Sequence, residues 1–386
     1  MPAATGGQPA APQARASGTA SGDAAAKRLL DELACEPRPA GSEAERAARD
    51  LCAARLAAAG FAVREEPFDY SAFPGRYATA LGGGCSGAAL VVAALFGGRG
   101  SGAAALGVLV GALALLAVAG QWLLCRGVVD APLLRRRGIN LVATRGAPTL
   151  WLVAHLDSKS QPVPILMRAG GIVLSAILWV TALGVALAQA RGAELGGAWP
   201  WLAGAGVLAA LPVAASVVGV RSPGAVDNAS GAAAVLLAAE AVPPDAEIGV
   251  LMPSAEELGL AGARAWARGR PPGVAVNCDG VDDRGMLTLM YSGGRPERLL
   301  AVAAGAAASS GQTVRARWLV PGILTDGVAL ADAGWEAVTV SRGTLGTLAR
   351  VHRPGDRAEC LDGGGIADAA RLIAAMVGML RGPAGG

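Results

Sequence analysis

Residues 149–157 read Thr-Leu-Trp-Leu-Val-Ala-His-Leu-Asp, a short apolar run that ends on a histidine and an aspartate. A run of this length without polar alternation suits a strand buried on both faces, and the polar pair falls where such sheets carry their loops. Similar runs recur at Ile139–Thr144, Glu247–Met252, Gly273–Asn277, Met286–Tyr291 and Glu336–Val340, and Phe61–Phe68 alternates as a strand would. Helical spacing marks two segments within Lys27–Ala59, and then Ser230–Val242, Leu258–Arg268, Pro296–Ser309 and Gly363–Leu380. The repetition of strand, loop and helix predicts an α/β fold with a mostly parallel mixed sheet covered by helices on both faces. Functional loops belong at the strand C-terminal ends.

Outward from this core the composition changes. The 386 residues are 53% hydrophobic and 16% charged, against roughly a quarter charged in an ordinary soluble domain. The excess is concentrated in four uncharged stretches, 77–98, 100–125, 169–190 and 195–220. Each exceeds the roughly 20 residues needed to cross about 30 Å of hydrocarbon. Soluble helices of this length carry a charged face, so the reading is four transmembrane helices in two hairpins, 77–125 and 169–220. A hairpin returns the chain to the side it left, so 24–76, 126–168 and 221–386 are expected to build one polar domain. Residues 1–23 are small and polar and are expected to be a disordered tail with no cleaved signal.

The polar side holds Arg76, Arg126, Arg135, Arg136, Arg137, Lys159, Arg168 and Arg221, while the hairpin tips offer Arg99 and Arg191. The excess of positive charge places the polar domain in the cytoplasm. Six scattered cysteines then read as free thiols in a reducing compartment. A net charge of +3 from 33 basic and 30 acidic residues carries no polyanion-binding signature, so nucleic acid is not an expected partner.

Chemistry gathers at the strand exits. The chain has two histidines, His155 and His352, and both stand near carboxylates. His155-Leu-Asp157 can place a carboxylate behind a ligating imidazole. Gly224-Ala-Val-Asp227-Asn-Ala-Ser-Gly231 sets a carboxylate in a turn that opens a helix, where it serves equally as a cap. Glu256-Glu257 sets two like charges side by side, which is costly without a compensating cation. Asn277-Cys-Asp279 ends another strand, and His352-Arg-Pro-Gly-Asp356 supplies the second imidazole.

Taken in that order, these motifs resemble the two-zinc exopeptidases of the bacterial leucyl aminopeptidase, aminopeptidase S and glutamate carboxypeptidase type. The likeness covers about 27–76, 138–162 and 221–381, including Arg38-Pro-Ala-Gly-Ser42, and leaves out the two hydrophobic hairpins. Spacing agrees, since 71 residues separate His155 from Asp227 and setting aside 163–220 leaves 13, an ordinary loop. The resemblance implies that Asp227 bridges two Zn²⁺ ions, with His155 and Asp279 on one and Glu257 and His352 on the other. It also implies that Asp157 orients His155, that Glu256 is the general base, and that the Asp227–Asn228 peptide is cis. Cobalt or manganese suit the same ligands.

Two departures bear on the substrate. Relatives often carry Ser-Asp-His where this chain has Thr325-Asp326-Gly327, and none of Tyr70, Tyr77 and Tyr291 closely precedes His352. Trp266 and Trp335 read as core or pocket wall. The leading reading is a membrane-integrated zinc exopeptidase, with aminopeptidase favoured over carboxypeptidase or glutaminyl cyclase, acting on peptides that are membrane-proximal if the hairpins control access. The alternatives are a catalytically silent relative serving as a membrane scaffold and, disfavoured by spans without internal charge, a transporter.

Overall fold

The computed structural model describes residues 13–320 and 322–381. Its frame is an eight-stranded sheet: β1 (Ala62–Ser71), β2 (Arg135–Thr144), β3 (Leu150–Val153), β4 (Gly249–Met252), β5 (Val274–Val281), β6 (Met286–Tyr291), β7 (Val314–Trp318) and β8 (Glu336–Gly343). The spatial order is β1-β2-β4-β3-β5-β8-β6-β7. The middle strands β4, β3, β5 and β8 are parallel, with antiparallel pairs β1/β2, β2/β4 and β6/β8 outside them. β3 and β4 are buried at every position, as central parallel strands should be. Edge strand β7, Val-Arg-Ala-Arg-Trp, is mostly exposed, and its arginines discourage pairing with another chain.

The helices are α1 (Gln13–Leu33), α2 (Glu43–Ala58), α3 (Phe73–Gly97), α4 (Gly102–Trp122), α5 (Val128–Asp130), α6 (Ile165–Ala190), α7 (Trp199–Ala214), α8 (Ser230–Ala241), α9 (Ala261–Ala267), α10 (Glu297–Ser309), α11 (Asp326–Asp332), α12 (Leu345–Arg350) and α13 (Gly364–Arg381). One face of the sheet, through Leu150 and Leu152, joins the large core shared with α1, α2, α8, α10 and α13. The other, through Trp151 and Val153, packs Trp266 of α9, Leu330 of α11 and Trp335. Trp266 stands edge-on to Trp151 at 4.6 Å, so both singled-out tryptophans are core. α1 takes in residues 13–23 of the expected tail, and beyond them packs Ala26, Leu29, Leu30 and Leu33 in the core. Residues 1–12 of that expected tail lie outside the described residues.

Four helices, Phe73–Gly97, Gly102–Asp130, Ile165–Ala190 and Gly196–Ala214, are long and apolar enough to cross a membrane. At 1.5 Å per residue a 25-residue helix is about 38 Å long. α3 packs on α4 and α7, and α6 on α4 and α7. The interface is small and aromatic, Ala89, Ala93, Ala105, Ala182, Ala186 and Trp199, while Leu115, Val118, Val180, Trp201 and Leu208 point outward. The helix bounds differ from the uncharged stretches in a physical way. α3 starts at Phe73 because Pro74 suits a first helical turn, and Arg76 lies inside the helix. α7 stops at Ala214, after Pro212, and 216–224 runs on without regular structure, with Gly219 bridged to Ser160.

Every junction with the bundle lies at one rim of the sheet. β1 runs parallel to β4 and feeds α3, the α4–α5 segment returns into β2, and the loop beyond β3 leads to α6. This is the rim formed by the C-terminal ends of the parallel strands.

Candidate metal centre

β3 delivers His155 to the rim with 1% of its surface exposed. Its Nδ1 lies 3.0 Å from the main-chain oxygen of Asp157, which fixes the imidazole with Nε2 turned inward. The Asp157 carboxylate does something else: it accepts from the backbone N–H of Glu256 at 3.0 Å and of Glu257 at 3.2 Å. Its nearer oxygen is 3.7 Å from His155 Nδ1. The sequence reading assigned the orienting contact to this carboxylate; the geometry gives it to the carbonyl and uses the carboxylate to hold the Glu-Glu turn.

Asp227 sits before α8 in a turn tied down by Asp356, whose two oxygens accept from Val226 N at 2.9 Å and Asp227 N at 3.3 Å. The Asp227–Asn228 peptide is cis. Asn228 Nδ2 donates to Cys278 O at 2.9 Å, linking this turn to the β5 segment that carries Asp279. Buried Arg38 gathers the same region by donating to Leu156 O, Pro223 O and Gly224 O at 2.9, 2.7 and 3.1 Å. His352 follows α12 with φ +63°, its carbonyl accepting from Gln161 N at 2.9 Å.

These elements bring five side chains together in two groups, His155 with Asp227 and Asp279, and Asp227 with Glu257 and His352, each with one donor atom per residue within 4.8 Å of the others. Asp227 belongs to both. Its Oδ1 is 3.3 Å from His155 Nε2 and its Oδ2 is 2.9 Å from His352 Nε2. Glu257 Oε1 lies 3.4 Å from His352 Nε2, and Asp279 Oδ1 3.7 Å from His155 Nε2. Among the described residues His155 Nε2, Glu257 Oε1 and both nitrogens of His352 are buried without a hydrogen-bond partner. Buried lone pairs that converge without bonding each other are costly unless a cation accepts them, so this donor set fits metal ions. Imidazole and carboxylate suit zinc.

The electrostatics point the same way. Burial works against the charged form of Asp227, yet His155 and His352 hold its carboxyl well below the usual range. Burial would depress His155, and the facing carboxylates, Glu256 first, raise it well above its ordinary value. For Glu256 burial dominates and, with Glu257 and Asp279, lifts it well above a normal glutamate against the pull of His155.

Asp326 and Lys159 were given no part by the sequence reading. Asp326 is fully buried, both its oxygens lack a hydrogen bond among the described residues, and burial with Asp279 and Asp157 pushes its pKa up to about 8 against His155. Next to it Gly327 leaves no space for the histidine of relatives, since a Cβ would lie 2.5 Å from Thr339 Oγ1. Tyr291, Leu319, Thr325, Val328 and Thr339 line a narrow crevice beside this point, closely packed with no room for a water molecule. Tyr291 is thus a wall of this crevice, with its hydroxyl accepting from Arg295.

The fold is that of α/β metallopeptidases, and a family match agrees with it. Residues 208–377 match the family described as peptidase family M28. The matched stretch includes Asp227, Glu256, Glu257, Asp279 and His352, while His155 comes from outside it. No curated protein matches the chain. Among solved structures it resembles an aminopeptidase from an Aneurinibacillus strain at 14% identity and TM-score 0.56, covering 92% of this chain and 93% of that one. It resembles a zinc aminopeptidase from Bacillus subtilis at 16% and 0.54, covering 92% and 94%. A glutaminyl cyclase from Porphyromonas gingivalis follows at 14% and 0.54, covering 93% and 98%. At these identities the likeness establishes the fold.

Proposed function

We propose that this chain is a membrane-integrated exopeptidase holding two zinc ions, most simply an aminopeptidase, with its polar domain on the cytoplasmic side. The observation that carries the reading is Asp227, whose two oxygens face two separate histidines at 3.3 and 2.9 Å. His155, Asp279 and one oxygen of Asp227 would hold one ion, and Glu257, His352 and the other oxygen the second. When bound, such a pair supplies Lewis acidity toward a peptide carbonyl and toward water.

The chain's own residues do the rest. Glu256 belongs to neither ligand group, and its Oε2 lies 3.8 Å from His155 Nε2, at the edge of the site. It would take a proton from the attacking water and return it to the leaving amine, a transfer worth about 10²–10⁴-fold. Asp157 keeps Glu256 and Glu257 in register by binding both backbone N–H groups.

The test is a panel of peptides blocked at the N-terminus, the C-terminus or neither, given to wild type and Glu256→Gln with zinc measured in both. Two zinc per chain, cleavage that needs a free N-terminus, and a loss of at least about 100-fold in the variant are expected. Retained turnover in Glu256→Gln removes that residue from its role, and cleavage needing a free C-terminus reverses the polarity.

A further inference from the structure

Among the described residues Lys159 is the lysine or arginine that pairs with a carboxylate of the candidate metal centre, and the reaction as described leaves it idle. Its side chain is 17% exposed and its Nζ lies 2.5 Å from Oε2 of Glu257, itself 3% exposed. The backbone on either side of it is tied. Ser158 N donates to Arg38 O at 2.8 Å, and Ser160 exchanges main-chain hydrogen bonds with Gly219, in the segment returning from α7. The ammonium therefore reaches Glu257 from a loop anchored to the core on one side and to the second hairpin on the other. Glu257 is left with its two oxygens divided, Oε2 on Lys159 and Oε1 toward His352.

We propose that Lys159 is a positioning residue that makes the two halves of the metal centre unequal, by occupying one oxygen of Glu257 so that only the other is offered to the cation shared with Asp227 and His352. This rests on the metallopeptidase reading above. Two effects act in the same direction. A carboxylate oxygen paired with an ammonium is withdrawn from a metal, and a positive charge beside a dication repels it. Among the described residues the ion pairs of Asp227 and Asp279 are with histidines, so the His155 half has no counterpart of Lys159. The half built on Glu257 and His352 is accordingly the weaker cation site and retains more capacity for the substrate.

The experiment is a calorimetric Zn²⁺ titration of the full chain in detergent after chelator treatment, on wild type, Lys159→Met and Lys159→Arg, with steady-state kinetics on the same samples. Wild type should bind two equivalents that differ at least about tenfold in Kd. Lys159→Met should tighten the weaker one by about tenfold, through loss of the charge repulsion, while raising KM more than it lowers kcat, and Lys159→Arg should stay near wild type in both. General damage to the site would loosen zinc, so the sign separates positioning from misfolding. If Lys159→Met leaves the second equivalent unchanged or weaker while wild type binds two and cleaves peptides, the role of Lys159 is overturned and the peptidase stands. If wild type binds no zinc, the metal centre and this inference fall together.

Discussion

Asp157 illustrates how a single residue serves the site through two different atoms: its carbonyl oxygen orients His155 and its carboxylate fastens the backbone of Glu256 and Glu257. Asp157→Asn keeps the carbonyl but can accept only one of the two N–H groups. Activity should fall about 10–100-fold with His155 still ligating, which zinc content and kcat measured together would show; loss of zinc in parallel with activity would contradict it. Glu45 is a quieter case. It is buried, accepts from Ser254 Oγ and from Gly41 N at 2.6 Å, and burial, reinforced by Asp157, raises its pKa from 4.5 to about 7. A raised carboxyl means that between those values the folded chain keeps a proton the unfolded chain releases, so its contribution is fullest below 4.5 and is lost as pH rises through about 7. Glu45→Gln should remove that slope, shifting the stability difference between variant and wild type by about 3 kcal/mol between about pH 5 and about pH 8. Denaturant midpoints of both proteins at the two pH values check it, and parallel curves would refute it. Residues whose chemistry is scarce, the two histidines and the Glu-Glu pair, were legible in the sequence because few other roles suit them. Lys159 and Asp326 were not, because a lone charge in a loop shows its partner only after distant segments meet.

At the level of elements the fully buried strands and the Ala-rich α8 were readable as continuous apolar runs. β7 was missed because an exposed edge strand with alternating arginines has no apolar signature. α11 and α12, with 7 and 6 residues, are too short to show a helical period. What periodicity could not reveal is how the first hairpin meets the catalytic turn. A Cβ on Gly75, in the first turn of α3, would stand 2.3 Å from Leu258 Cα, and Val128 of α5 closes on the same turn at Gly259. The turn that carries Glu256 and Glu257 is thus wedged between the two ends of a hairpin. Gly75→Ala should displace it and lower kcat by at least about tenfold, since a misplacement of about 1 Å can cost about 100-fold when positioning supplies much of the rate. Gly82→Ala, in the same helix with nothing within 4 Å, should be silent. Equal kcat in the two variants would show that the contact is only packing.

For the whole molecule the question is whether the bundle anchors the enzyme or also selects what reaches it. All chain crossings into the bundle leave from the catalytic rim, the loop bearing His155 continues into α6, and α12, just before His352, touches α6. The outward faces of the helices are leucine, valine, isoleucine and tryptophan, a surface that suits contact with lipid, as proposed above. With the helices embedded as proposed, the two histidines would lie toward the bilayer, and a peptide held at that surface would meet the site at a raised effective concentration. The same peptide should therefore be cleaved with at least about tenfold higher kcat/KM when tethered to lipid than when free, for the full chain in nanodiscs, and the advantage should vanish in detergent where peptide and enzyme occupy separate micelles. Equal rates in nanodiscs would leave the hairpins as an anchor alone and would leave the chemistry at Asp227 and Glu256 untouched, because nothing in the ligand geometry depends on how the substrate arrives.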